Sequence, residues 1–464
     1  MAVTKRSGAK DASGKLAMRS PRAPSHERFL QDHRHNIGFK AIRDVPKTGV
    51  IWATERASKY GYFAGNEEWA NFGQGMPQVD PIPNQPPRKE TITFDVDHKE
   101  YAPTTGTKEL RQKVADYYNE LYRKDKDSKY TWENVCITPG GRAGITRVMS
   151  ILGNVQVGYF LPDYTAYEQA LSLFRRFVPI PLLHNEEILK KSTTEFREDV
   201  TGRGIGAVLL SNPSNPTGKF VDGPHLKELV DMSRENDVFM IMDEFYSHYM
   251  YCTDEEGKPC YGETVSSARY VNDVNEDPVV IINGLTKNWR LPGWRMCWVV
   301  GPKEIVEALG SAGSYLEGGA NNPLQKEAIP LLDHDFVKKD ILALQQHFRA
   351  KRDYIIPELE AMGIKVHHPE ATFYLWCSLE DLPSPLNDGI HFFEEAIKEK
   401  VIFVPGVFFD INPGRLRQVH QSKFNKFIRI SYGPPLEELK RGVEALKRVI
   451  SKFQVGNKKR KERE

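Results

Sequence analysis

The chain has 464 residues, 40% of them hydrophobic and 27% charged, an ordinary globular composition with length for two domains and a sizeable core. A formal net charge of +2 argues against a nucleic-acid partner, and no apolar stretch approaches the roughly 20 residues of a membrane span. Five cysteines (Cys136, Cys252, Cys260, Cys297 and Cys377) form no CxxC pair, which fits reduced thiols and a cytoplasmic setting.

Residues 1–45 are basic and poor in large apolar side chains, and read as a disordered tail; Asp11 and Glu27 count against a transit peptide. Residues 46–99 read as an N-terminal arm joined to part of a smaller domain. Its Trp52, Tyr62 and Trp69 either line a substrate pocket or pack the arm against the body. From about residue 100, "TGTKELRQKVADYYNELYR" has the apolar spacing of an amphipathic helix. "NVCIT" is a strand that ends at "PGGRAG", with "ITRVMSIL" helical beyond it. The same strand–turn–helix phrase returns at "VGYFLPDYTAYEQALSLF", "GAVLLSNPSNPTG", "VFMIMDEFYSHY" and "VVIINGLTKNW". Such alternation predicts an α/β domain over 100–330 with a mostly parallel sheet, and ligands gather beyond the carboxyl ends of such strands. Residues 252–278, rich in Asp, Glu and Gly, read as an exposed insertion.

Beyond residue 330 a long helical pattern precedes the strands "ATFYLWCSL", "VIFVPGVFF" and "FIRISYG" and a closing helix, so 331–455 reads as a second, smaller α+β domain. Residues 456–464 are a charged tail, a solvated helix end in preference to a targeting signal. The histidines lack ligand spacing; His367 and His368 would face opposite ways on a strand, and no metal is expected.

Two motifs stand out for chemistry. "SNPSNPTG" turns sharply after an apolar strand and presents amides at the sheet edge. Asp243 closes the run "VFMIM", where a partly buried carboxylate needs a cation or hydrogen-bond donors. Alone, each is also an ordinary loop or cap.

In order along the chain, "YAPTTGTKELR", "TPGGRAG", "LPDYTAY", "SNPSNPTG", "DEFY", "GLTKNWRLPGWR" and "FIRISYG" resemble the fold-type I, pyridoxal-phosphate-dependent class I/II aminotransferases, over roughly residues 70–450. The resemblance implies a three-layer, mostly parallel large domain, the smaller α+β domain, pyridoxal 5'-phosphate as cofactor, and a homodimer with shared active sites. Lys287 matches the lysine that holds the cofactor as a Schiff base, where only a primary amine can exchange its imine with an amino acid and then move the Cα proton. Asp243 matches the partner of the pyridine nitrogen, Tyr246 and Asn215 the groups on the phenolic oxygen, and Tyr164 the aromatic on the ring face. Gly141 and Arg142 sit where backbone N–H groups meet the phosphate, which Arg295 would also grip; Arg290 has no such correspondence and reads as structural. Tyr101 matches a tyrosine that reaches the neighbouring subunit's phosphate. Arg429 matches the clamp on the substrate α-carboxylate, beside the Gly75 backbone.

Two positions depart from the pattern. Gly284 stands where many relatives carry a phosphate-binding serine, with Thr286 as a substitute donor, and Ala371 replaces a glycine. The expected reaction moves an amino group between an amino acid and a 2-oxo acid. The alternatives are a lyase, a cyclopropane-forming synthase or an oxidase on the same cofactor and, more remotely, a non-catalytic regulator with the same fold.

Overall fold

The protein is described by a computed structural model. It describes residues 41, 45, 47–182 and 189–461, so the tail expected over 1–45 lies, two positions aside, outside the described residues. Every element below belongs to one compact unit, Thr48–Glu464.

In chain order the strands are β1 (Ala70–Asn71), β2 (Val135–Thr138), β3 (Gln156–Phe160), β4 (Val178–Leu182), β5 (Ile205–Ser211), β6 (Phe239–Asp243), β7 (Val279–Gly284), β8 (Cys297–Val300), β9 (Lys365–His367), β10 (Tyr374–Ser378), β11 (Val401–Ile402), β12 (Val404–Pro405) and β13 (Phe427–Ser431). Seven of them form the main sheet in the order β2-β8-β7-β6-β5-β3-β4. Pairs β3–β4, β3–β5, β5–β6 and β6–β7 are parallel, and β8 runs antiparallel to both β7 and β2. The central strands are continuous apolar runs buried on both faces, "VVIING" along its whole length, as a helix-covered parallel sheet requires. Helices Tyr167–Leu173, Thr194–Gly202 and Gly223–Asn236 lie between consecutive parallel strands.

That register positions the site. Since β2 and β7 both oppose β8, β2 runs in the same sense as β3, β5, β6 and β7. Their carboxyl ends (Thr138, Phe160, Ser211, Asp243 and Gly284) therefore share one edge of the sheet.

A four-stranded antiparallel sheet, β12-β13-β10-β9, sets Arg429 opposite Trp376. Helix His334–Glu360 has 27 residues, about 40 Å at 1.5 Å per residue. The expected strand "VIFVPGVFF" breaks into β11, β12 and a 3-10 turn at Gly406–Phe409; Pro405 has no N–H to continue a ladder. Helix Leu436–Lys461 runs on through the first six residues of the stretch read as a charged tail.

The N-terminal segment is tied to this part of the molecule. Trp52, on helix Gly49–Ser58, packs on Phe393 and Phe408 at ring distances of 5.0 and 5.1 Å. Arg56 donates to both oxygens of Glu394 (2.7 and 3.0 Å), and β1 pairs in parallel with β11. Trp69 is buried against Tyr62, so all three arm aromatics pack between elements and none lines the cavity described below.

One expectation needs correction. Residues 252–263 are exposed or half-exposed, but 264–268 is buried, with Val265 and Ala268 in the main core. The backbone N–H and hydroxyl of Ser267 donate to Glu244 Oε1 (2.8 and 2.6 Å), a tie that the acidic composition of the segment hides. Among the described residues no helix is long and apolar enough to cross a membrane.

Candidate active site

The shared strand edge opens on a cavity of about 480 Å³, whose lining includes Lys287, Asp243, Asn215 and Arg429. Lys287 lies in the turn between β7 and β8, and the residues around it are anchors. Trp289 Nε1 donates to Leu331 O (2.8 Å), and Asn288 Nδ2 donates to Ser247 Oγ and Asn283 Oδ1 (2.9 and 3.0 Å). Arg290 is fully buried and donates to Gln78 O and Asp80 O (both 2.7 Å) and to Gln85, the structural part read for it from sequence. With its turn so fixed, Lys287 directs its amine into the cavity and donates to the carbonyl of Gly75. Burial lowers the pKa of that amine to about 7, helped by the positive charges of Arg429, Arg142 and Arg295. Much of it is therefore neutral near pH 7, as a nucleophile must be.

Asp243, at the end of β6, is buried beneath the cavity. Tyr167 donates its hydroxyl to Oδ2, and the Phe245 N–H reaches Oδ1 at 3.5 Å. Burial raises the carboxyl pKa to about 6, against the lowering effect of these donors and of Lys287. Sequence reading missed Tyr167. It stands three residues after Tyr164 in "PDYTAY", the two rings meet edge to face at 5.4 Å, and on a helix start that spacing puts both on one side.

Arg429, on β13, is 1% exposed. It donates from Nη1 to Asn215 Oδ1 and from Nη2 to Gly73 O, both at 2.9 Å, and lies 4.2 Å from the centre of the Tyr374 ring. Its Nε has no hydrogen-bond partner. Among the described residues no carboxylate pairs with it, so a buried cation awaits an anion that the fold itself does not supply. Tyr246 closes the same network, 3.0 Å from the Tyr374 hydroxyl and 3.5 Å from Asn215 Nδ2. Tyr374 was also missed, because an aromatic inside a strand reads as core.

The turn after β2 supplies the third feature. Gly140 takes φ +101° and caps helix Gly141–Ile151 without a side-chain hydrogen bond, so the first N–H groups of that helix remain open to an anion. A Cβ on Gly140 would fall 2.0 Å from Arg295 Nη2, and one on Gly141 would fall 2.3 Å from the Phe245 ring. The glycines thus let Arg295 lie directly over the turn, while its Nη1 donates to Pro292 O (3.1 Å). Arg142 directs Nε and Nη2 to the Tyr164 hydroxyl (3.3 and 3.0 Å).

The departure at Gly284 has a steric cause. Gly284 pairs with Cys297 across β7 and β8, and a Cβ there would lie 2.5 Å from the Cys297 Cα. A serine cannot enter without moving backbone. Thr286, 3.1 Å from Cys297 Sγ, lines the cavity in its place.

A pyridoxal phosphate fits these residues: an open helix start and Arg295 for a phosphate, a buried carboxylate for a pyridinium, and an amine for an aldehyde. Of the residues singled out from sequence, Gly75, Gly141, Arg142, Tyr164, Asn215, Asp243, Tyr246, Lys287, Arg295 and Arg429 all line this cavity. Tyr101 does not; it is 97% exposed on the surface.

The chain belongs to the class I and II aminotransferase family, whose sequence profile matches residues 67–446. It is accordingly a pyridoxal-phosphate-dependent enzyme that transfers amino groups. An aspartate aminotransferase of Sulfurisphaera tokodaii is 24% identical, over 82% of this chain and 89% of the relative. A (5-formylfuran-3-yl)methyl phosphate transaminase of Methanocaldococcus jannaschii is 27% identical, over 76% of this chain and 84% of the relative. The solved aspartate aminotransferase from Thermus thermophilus with maleate has the same fold, with TM-score 0.69 and 20% identity over 93% of this chain and all of that one. These relatives favour amino transfer over the lyase, synthase and oxidase alternatives.

Proposed function

We propose that the enzyme moves an amino group from an acidic amino acid to a 2-oxo acid, with Lys287 holding the cofactor covalently and carrying the proton taken from the donor Cα. The carrying observation is one cavity that brings together a lysine amine lowered to about 7, a buried aspartate and a buried arginine lacking an anion. Bound pyridoxal phosphate supplies an electron-accepting ring that acidifies the Cα–H bond.

The protein's own groups do the rest. Asp243, held in place by Tyr167, would keep a pyridine nitrogen protonated. Tyr246 and Asn215 would donate to a phenolic oxygen, and Tyr164 would pack on the ring. Gly141, Arg142 and Arg295 would hold the phosphate. Arg429 clamps the donor α-carboxylate next to the Gly75 backbone and thereby orients Cα toward Lys287. Arg142 and Arg295 would be taken by the phosphate and Arg429 by the α-carboxylate, so the reading of an acidic donor does not rest on the charge of the lining. The names of the aspartate aminotransferase relatives support it.

We read 100–330 as the large cofactor-binding domain and 46–99 with 331–455 as the smaller one, the arm contacts of Trp52 and Arg56 supporting that division. The working unit is a cytoplasmic homodimer in which Tyr101 reaches the partner's phosphate site, a role that suits its complete exposure in one subunit.

Isotope transfer tests the reaction. With L-[¹⁵N]aspartate and 2-oxoglutarate the holoenzyme should deliver the label into glutamate, within a panel that includes aromatic and aliphatic donors. Release of oxo acid without any labelled amino product would sink the transfer reading; preference for an uncharged donor would sink the acidic one.

A further inference from the structure

We infer that Lys351, on helix His334–Glu360 and outside the cavity, is a positioning residue whose ammonium ties the strap 73–80 to the turn after β13, so that Gly73 and Gly75 meet Arg429 and Lys287. Lys351 is 2% exposed. Its Nζ donates to Gln78 Oε1 (2.7 Å), Pro434 O (2.8 Å) and Gly433 O (3.3 Å). Three acceptors match the full donor set of an ammonium, and none is a carboxylate.

Burying a cation beside neutral acceptors is unfavourable where burying an apolar side chain is not. What the ammonium adds is direction: it joins two segments far apart in sequence. Other bonds converge on the same place. Gln78 N donates to Gly433 O (2.9 Å), His347 Nε2 lies 3.0 Å from Gln78 Oε1, and Arg290 holds the carbonyls of Gln78 and Asp80. A Cβ on Gly433 would fall 2.5 Å from Met76 O, so strap and turn touch backbone to backbone. On the other side of the strap, Gly73 O accepts from Arg429 and Gly75 O from Lys287. The strap thus fixes how the carboxylate clamp faces the amine, and the inference rests on the substrate-site reading above. The charges around Lys351 are those of Arg290, which opposes its protonation, and of Glu438 and Asp80, which favour it; burial is the largest influence and lowers its pKa to about 7. The three-donor ammonium is therefore the main form below that pH, and the tie is strongest there. His347 is lowered to about 4, chiefly by burial, and so is neutral as a neighbour.

The test compares Lys351→Met, which keeps the bulk without the donors, with Gln78→Leu, which removes the acceptor from the other side. Both are prepared as holoenzyme and assayed with L-aspartate and 2-oxoglutarate. Amide exchange in the peptide 73–80 should quicken about tenfold in each variant with no change in β7. The KM for L-aspartate should rise about tenfold while kcat stays within about threefold and cofactor affinity holds. Unchanged exchange in both variants overturns the tie. Faster exchange with unchanged KM overturns the positioning role, provided that Arg429→Leu raises KM. If Arg429→Leu leaves KM unchanged as well, the substrate-site reading fails and the tie stands. Should Lys351→Met not fold, Gln78→Leu decides.

Discussion

Lys287 shows how a residue's surroundings set its chemistry. Its amine is lowered to about 7 by burial among three guanidinium groups, and removing it should remove both the covalent anchor and the proton carrier. After borohydride treatment of Lys287→Ala, peptide mass mapping should find no cofactor mass at that position, and turnover should fall at least about 10²–10⁴-fold, the usual share of a general base. Asp243 gives a pH dependence. Its folded pKa is raised from 3.8 to about 6, so in the cofactor-free protein it is protonated below about 6 and ionised above. Cofactor affinity should therefore drop as pH falls through about 6, and Asp243→Asn should bind weakly with less of that pH dependence, read by fluorescence titration of the apoenzyme at pH 5 and 7.5. Lys287, Asp243 and Arg429 were legible through the ordered motifs that resemble the family, since imine chemistry, a pyridinium and a carboxylate each demand one residue type. Tyr167 and Tyr374 were not, since a tyrosine in an apolar segment looks the same whether its hydroxyl meets Asp243 or a stray carbonyl.

Among the elements, the turn after β6 carries a second buried carboxylate beside Asp243. Glu244 is fully buried, accepts from Ser267 through Oε1, and has no partner for Oε2. Burial raises its pKa from 4.5 to about 7, with Ser266 and Ser267 opposing and Asp222 adding to the rise. A raised folded value means that its favourable contribution is complete below 4.5 and is lost as pH rises through about 7. The loss amounts to about 3 kcal/mol. Other groups shape the wild-type profile, so the readout is the difference between two sets of denaturant melts. Glu244→Gln, which cannot ionise, should gain stability relative to wild type as pH rises from 5 to 8. A difference that stays constant over that range would assign the pH dependence to other groups. At the β7–β8 pair, Gly284→Ser should destabilise the fold by about 1–3 kcal/mol through overpacking against Cys297, with Tm as the readout. The strands and their helices were readable from periodicity. The burial of 264–268 was not, because its acidic neighbours dominate the local composition while Val265 and Ala268 reach into a core built from distant strands.

For the whole molecule, the shared-site reading predicts complementation. Lys287→Ala and Tyr101→Phe homodimers should each be impaired. Mixed subunits should recover about a quarter of wild-type activity, since half the dimers are hybrids and one site of two in each is intact. Sedimentation should give twice the chain mass. No recovery on mixing, in a preparation shown to exchange subunits, would remove Tyr101 from the partner's site.

The sequence by itself determined the alternation of strand and helix, the parallel sheet and the residue types gathered at its carboxyl edge, because periodicity and turn chemistry are local. Only the tertiary structure decided that a serine is excluded at Gly284, that Tyr167 serves Asp243, and that Lys351 reaches Gln78 and Gly433. Each depends on the distance between segments remote in the chain, which close packing fixes and no local pattern encodes.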